Sequence, residues 1–193
     1  MKRRPKLKED PIAEQQLATM CSKGNEEARR ELYDLYSAGI YALCLRYVSD
    51  NGTARDLLHD AFIRIFDKIG RFSYSGEGSL RAWMSRIASN MAIDLLRKEK
   101  KLQLLSLDND LLPDIPEDSL PDPANIPEAV LLKMVESLSE SKKLIFNMYC
   151  IDGYSHREIA KRCGISEKGS ASILAKARKE LVQMVIRYIS ENE

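Results

Sequence analysis

Asp56, His59 and Asp60 stand three and one residues apart in ARDLLHDAF. On a helix that spacing places two carboxylates and an imidazole on one face. Such a trio can bind a divalent ion, can offer an acidic patch to a basic partner, or can be a plain solvated face. A second set is basic. Residues 81–101 carry six basic and two acidic side chains. Arg86, Asn90, Asp94, Arg97, Lys98 and Lys101 are expected to project outward there. The loop before them, RFSYSGEGSL, brings Phe72 and Tyr74. Rings beside a basic face suit contact with a nucleic-acid backbone and capture of unstacked bases. The third set is Arg157, Lys168, Ser172, Lys176, Arg178 and Lys179, inside GYSHREIAKRCGISEKGSASILAKARKEL. Its positive charge can neutralise phosphates, and Ser172 can touch a base edge or a phosphate.

Each set needs a helix to hold it, and helical spacing recurs along the chain while period-two alternation does not. The pattern predicts helices over 11–23, 26–49 and 53–69, the second with Leu32, Leu35, Tyr36, Ile40, Leu43, Cys44 and Tyr47 as its apolar stripe. Gly24 and Asn25 read as a C-cap followed by an N-cap. Asp56, His59 and Asp60 lie off the buried stripe of the third helix. A long fourth helix is expected from Ser79, as its N-cap, to Lys101, packing Leu80, Trp83, Met84, Ile87, Ala88, Met91 and Leu95 inward. Beyond it, Pro127 suits the first turn of a helix over 127–137, and Ser139 can cap the next. Ser155 and Glu158 have capping-box form. Gly164 permits a tight turn, Ser166 caps the last helix, and Ser170, Leu174, Ala177, Leu181, Val185 and Tyr188 form its inner stripe. The outer face is expected to start with Lys168, Gly169, Ala171, Ser172 and Ile173. Two helices and a tight turn of this kind form a helix-turn-helix, a shape that enters DNA major grooves.

The net charge of +1 conceals a strong segregation. Residues 103–130 hold seven acids and no Lys or Arg, so the remainder carries +8. The same stretch holds five of the seven prolines, which resist helix and sheet. The expected organisation is all-α: two small helical domains, 1–102 and 127–193, joined by an acidic Pro-rich linker at 103–126. The run of about 18 apolar residues that a membrane span needs is missing, and MKRRPKLKEDPI has no apolar core behind its charges. The expectation is a soluble protein that stays inside the cell. Cys21, Cys44, Cys150 and Cys163 form no CxxC pair. They read as small buried thiols, with neither metal nor cofactor expected.

Taken together, these segments resemble the extracytoplasmic-function sigma factors, compact members of the sigma-70 family, over about residues 15–185. ARDLLHDAFIRIFDKIGRF resembles the helix that binds core RNA polymerase, GSLRAWMSRIASNMAIDLLRKEKK the promoter-opening helix, and the helix-turn-helix the reader of the upstream element. The resemblance implies that Asp56, His59 and Asp60 dock on the polymerase clamp helices. It implies that Phe72, Tyr74, Ser79, Arg86, Asn90, Asp94, Arg97 and Lys98 serve the minus-ten element. It assigns Arg157, Lys168, Ser172, Lys176, Arg178 and Lys179 to the minus-thirty-five element. The linker resembles the segment that threads toward the polymerase active-site and RNA-exit channels. Implied partners are core RNA polymerase, promoter DNA and an anti-sigma factor, often membrane-anchored, with the free chain a monomer. The work implied is binding, with no catalytic residue. The sequence departs from the family pattern at His59, where Gln is usual, at SESKK, where Leu-Pro is commoner, and at Ala171 and Ile173, where longer polar side chains are common. Two rival classes are a conventional two-domain helix-turn-helix regulator that acts without polymerase, and a metal-dependent nuclease using Asp56, His59 and Asp60.

Overall fold

A computed structural model describes residues 11–48, 50–98 and 126–192. Regular structure among the described residues is entirely helical: α1 (Pro11–Ser22), α2 (Glu26–Val48), α3 (Asn51–Lys68), α4 (Ser79–Lys98), α5 (Glu128–Ser137), α6 (Glu140–Phe146), α7 (His156–Cys163) and α8 (Glu167–Asn192). The chain divides into two compact units, Met1–Ala92 and Ile93–Glu193, so α4 contributes its last residues to the second. The acidic Pro-rich segment, at 103–125, and Lys101 lie outside the described residues.

In the first unit the turn between α1 and α2 is capped as its sequence signals indicate. The Ala28 N–H donates to Asn25 Oδ1 at 2.8 Å, and Gly24 takes φ +80°, which an L side chain resists. Asp50 caps α3, accepting from the Thr53 N–H at 2.7 Å. α2 and α3 pack on one another, and their buried faces carry the small Ala28, Ala54 and Ala61 with Leu32, Leu57, Leu58 and Ile65. Burying each Leu or Ile contributes about 2 kcal/mol. Tyr33 and Phe62 pack with ring centroids 4.6 Å apart. Leu35 departs from the expected stripe: it is exposed, because it sits just off the face that Leu32, Ile40 and Leu43 turn inward. A 3-10 turn, Ile69–Arg71, closes α3 and buries Ile69. The Glu14 carboxylate accepts from the Tyr36 hydroxyl and from the Leu80 N–H, each at 3.4 Å, and so ties α1 to α2 and to the start of α4.

The fourth helix begins one residue earlier than a Ser79 cap would require. Ser79 lies inside the helix, and Gly78, at φ +76°, supplies the capping carbonyl to Ala82. Ser79 Oγ instead accepts from the Ser75 N–H at 3.4 Å, bracing the loop. Leu80, Met84 and Ala88 are buried as expected, joined by Ser89, Ala92 and Ile93.

In the second unit α8 is the spine, and α5, α6 and α7 each pack on it. Pro127 is the residue before α5, its carbonyl accepting from Val130 at 2.8 Å. Ser139 precedes α6 without capping it by side chain; its hydroxyl meets that of Ser141 at 3.2 Å. After α6 the chain widens into a π-helical turn, Asn147–Ile151. The capping box at Ser155 is complete, with the Ser155 N–H donating to Glu158 Oε2 at 2.9 Å and the Glu158 N–H to Ser155 Oγ at 3.3 Å. Gly164 ends α7 at φ +71°, and Ser166 Oγ caps α8 by accepting from the Gly169 N–H at 2.9 Å. Leu144, Ile145, Met148, Tyr154, Ile159, Leu174 and Ala177 form the core. Within it lies an ion pair, Lys142 Nζ to Glu180 Oε2 at 3.0 Å, with Lys142 almost wholly buried.

Candidate nucleic-acid interface

Three surfaces carry the polar residues singled out by type and spacing. On α3 the apolar stripe is turned into the core, and the opposite face presents Asp56, His59 and Asp60 to solvent. Ile63 continues that face one turn further and is 61% exposed. It extends the acidic face with an apolar side chain of the kind that a protein partner can bury. Sequence reasoning left Ile63 off the buried stripe of α3 and gave it no role, because a single apolar residue outside a stripe carries no pattern of its own. Among the described residues no group of three His, Cys, Asp or Glu side chains stands close enough to hold a metal ion.

The second surface joins the loop at 72–78 to α4. Phe72 packs its ring on Trp83, centroids 5.6 Å apart and planes tilted by 57°. That contact fixes the loop against the helix and leaves Phe72 and Tyr74 half-buried. Along α4, Arg86, Asn90 and Asp94 are half-buried and Arg97 and Lys98 exposed. Asp94 Oδ1 lies 3.5 Å from Arg97 Nη2, so the two hold one another in place at the helix surface. Beside the loop, α1 and the chain from Ile69 to Tyr74 enclose an open cavity of about 370 Å³.

The third surface is built by α7, the turn and α8. Arg157, Lys168 and Ser172 are exposed, and Lys176 and Lys179 half-exposed. Residues 168, 172, 176 and 179 follow one another at helical steps of four, four and three, and so form one strip. A step of two turns the helix by about 200°, so Arg178 lies on the flank away from Lys176. There its guanidinium sits over the Tyr149 ring, 5.7 Å from the centroid, and Nη2 reaches Cys150 Sγ at 3.7 Å. Ile173 does not belong to this outer face: it is 7% exposed and packs in the core beside Leu174. Its place in the apolar stripe, three after buried Ser170 and four before Ala177, is the signal that identifies it. Ala171 stays outside, as does the backbone at Gly169, where a Cβ would stand 3.1 Å from Ser166 Oγ.

The thiols are sorted by burial. Burial pushes Cys44 up to about 12 and Cys163 up to about 11, and raises Cys21 as well, while Cys150 is exposed.

Residues 32–102 match the family description Sigma-70 region 2, and residues 128–181 match Sigma-70, region 4. The chain is 26% identical over 163 residues to the ECF RNA polymerase sigma factor SigM of Bacillus subtilis (strain 168), covering 83% of this chain and 97% of that protein. It is 27% identical over 187 residues to the ECF RNA polymerase sigma factor BldN of Streptomyces coelicolor, covering 95% of this chain and 70% of that one. Among solved structures it resembles CnrH in complex with the cytosolic domain of CnrY, with a TM-score of 0.50, 20% identity and coverage of 91% and 98%; this likeness bears on the fold alone.

Proposed function

We propose that this chain, which belongs to the extracytoplasmic-function group of the sigma-70 family, binds core RNA polymerase, directs it to specific promoters and helps open the DNA there. The match over 32–102 sets aside the conventional regulator, which would have no use for such a region. The observation that carries the division of labour is the outward face of α3. Its acids lead into the exposed Ile63, in the same unit as the aromatic loop and the first part of the basic helix.

Each surface then has one task. Asp56, His59 and Asp60 meet a basic surface of the polymerase, and Ile63 is buried on docking. Phe72 and Tyr74 receive unstacked bases, while Ser79, Arg86, Asn90, Asp94, Arg97 and Lys98 hold the minus-ten strand. Arg157, Lys168, Ser172, Lys176 and Lys179 hold the minus-thirty-five duplex, mainly through phosphates, since Ala171 offers a base edge no hydrogen bond, while Arg178, on the other flank, braces Tyr149. The work is binding without a covalent step: base stacking lost on opening is replaced by contacts to the exposed strand, each worth a few kcal/mol. The domains of this reading are 1–102 and 127–193, with 103–126 as the segment between them. An anti-sigma factor is the expected inhibitor, and the free chain a monomer acting in the cytoplasm. Among the described residues no helix is long and apolar enough to cross a membrane.

The experiment is transcription in vitro with purified core polymerase and a genomic DNA library, sequencing transcript starts. Defined starts that require the chain are expected. Duplex binding without starts would defeat the reading.

A further inference from the structure

α8 runs to Asn192, past residue 181 where the region 4 match ends. Its last turns carry more apolar surface than the second unit covers. Met184 faces α5, its Sδ 3.6 Å from Ser137 Oγ, and Val185 is buried. Two residues beyond Met184, a turn of about 200° points Ile186 away from α5, and Ile186 is 41% exposed. Val182 and Ile189 are half-exposed and stand four before it and three after it, on the same side. Lys179 stands three before Val182. The apolar row therefore prolongs the strip of 168, 172, 176 and 179 along one side of α8. An occupant of the row that reaches toward Lys179 lies over the strip. The positive charge there, with exposed Arg178 beside it, calls for an occupant that is acidic as well as apolar.

We propose that residues 102–112 of this same chain seat on Val182, Ile186 and Ile189, and that the acids of that stretch then cover Lys179 and Lys176 while polymerase is absent. The stretch, LQLLSLDNDLL, lies outside the described residues. Its composition meets both demands. Leu104, Leu107 and Leu111 repeat at steps of three and four, the spacing of the row itself, and Asp108 and Asp110 stand among them. The prolines of the acidic segment begin only at Pro113. The tether is long enough: the chain re-enters the second unit at Ile126, which is buried. The residues from Leu112 to Ile126 span up to about 46 Å when extended, more than the length of about 39 Å of α8. Tethering also holds the stretch at an effective concentration on the order of millimolar, so a seat of three apolar side chains suffices. The seat stands on this match of shape and charge; its effect on DNA rests on the upstream role proposed above.

The test uses the full chain without polymerase. Hydrogen exchange over residues 182–190, read by mass spectrometry, should be slow in the wild type. Leu107→Ser with Leu111→Ser changes no charge and nothing in α8. It should speed that exchange about tenfold, leave residues 170–177 as they were, and raise affinity for duplex DNA of random sequence about threefold. Ile186→Ser should act the same way from the other side, with little further effect when the three changes are combined. Unchanged exchange in the double leucine variant would overturn the proposal. Protection that grows with concentration, together with a dimer in sedimentation, would assign the row to a second copy and overturn it equally. Faster exchange with unchanged DNA affinity would overturn the effect on DNA. None of these readouts involves polymerase, so the sigma role stands or falls separately, on the transcript starts.

Discussion

Nδ1 of His156 lies 2.9 Å from the hydroxyl of Ser170, which is fully buried, and the imidazole stacks on Tyr149 with ring centroids 4.4 Å apart. One side chain thus sets the first residue of α7 against the first turn of α8 and against the π-helical turn. The contact is thus a polar tie between the two helices of the helix-turn-helix.

His156→Phe would keep the stack but strand the Ser170 hydroxyl in the core. It is expected to cost about 1–3 kcal/mol, the penalty of an unsatisfied buried hydroxyl. Ser170→Ala removes the hydroxyl and leaves a half-exposed ring that water can serve, so its cost should be smaller. The double variant should be less destabilised than the two losses added. Urea unfolding followed by circular dichroism, with hydrogen exchange across residues 156–174, measures all three.

On α3 the exposed patch is separable from folding. Asp56→Lys and Ile63→Lys change side chains that face solvent, so the melting temperature should stay nearly constant. Affinity for core polymerase should fall tenfold or more, the loss of at least about 1.4 kcal/mol at a partner surface. Fluorescence anisotropy of labelled chain with core polymerase gives the constant. A melting temperature that drops along with affinity would assign these residues to the fold instead.

Lys168 stands at the exposed start of α8, where a lysine meets a phosphate rather than a base. Lys168→Ala is expected to weaken holoenzyme binding to different upstream sequences by a similar factor. It should also flatten the salt dependence by about one unit in the log–log slope. An effect confined to one upstream sequence would mean that Lys168 reads a base.

Gly169 loosens the first turn of α8, and alanine there should gain up to about 1 kcal/mol of helix propensity. The new Cβ stands 3.1 Å from Ser166 Oγ, so the capping hydroxyl must give way by a few tenths of an ångström. Gly169→Ala is therefore expected to stabilise by less than the full propensity gain. Ser166→Ala should cost about 1 kcal/mol through loss of the cap. Thermal unfolding of the two variants distinguishes the terms.

Among the thiols, Cys150 should be alkylated in the native protein at pH 8, with Cys21, Cys44 and Cys163 reacting only on unfolding. Burial raises these three and keeps them protonated. A thiol raised in the folded chain supports the fold fully below its unfolded value. That support is lost as pH rises from about 9, where the unfolded thiol ionises, through the raised folded value. Stability should accordingly fall above pH 9, and Cys44→Ala should lessen the fall. Mass spectrometry after timed iodoacetamide treatment and melts from pH 7 to 11 provide the measurements.

Caps and stripes of α2, α3, α7 and α8 were legible because each is written locally. Asn25, Ser155, Glu158, Gly164 and Ser166 do in the structure what their types and spacing imply. The departures come from choices that local rules leave degenerate. Ser79 and Gly78 can each start a helix, and the left-handed glycine does so here, releasing Ser79 to brace its loop. Ile173 lies at the border between the stripe and the exposed strip of α8, and its burial depends on what α6 and α7 bring against it. The π-helical turn at Asn147–Ile151 has no signature in composition. Ile63 and the hollow between α1 and the chain from Ile69 to Tyr74 are surface features. Patterns tuned to cores do not mark them, and only packing shows which side chains remain outside and which share a hollow.

The ion pair of Lys142 and Glu180 has a bearing on how the second unit can be wrong as well as right. A helix such as α8, with apolar residues repeating every three or four positions, could slide one turn, about 5.4 Å, along its neighbours and still bury a comparable oily surface. Sliding would strand the Lys142 ammonium in the core without its carboxylate, an error costing about 3–5 kcal/mol. Grease alone would tolerate several alignments of the spine; a charge in the interior is expected to disfavour the shifted ones, and with them any other spacing of Lys168, Ser172 and Lys179 from Arg157.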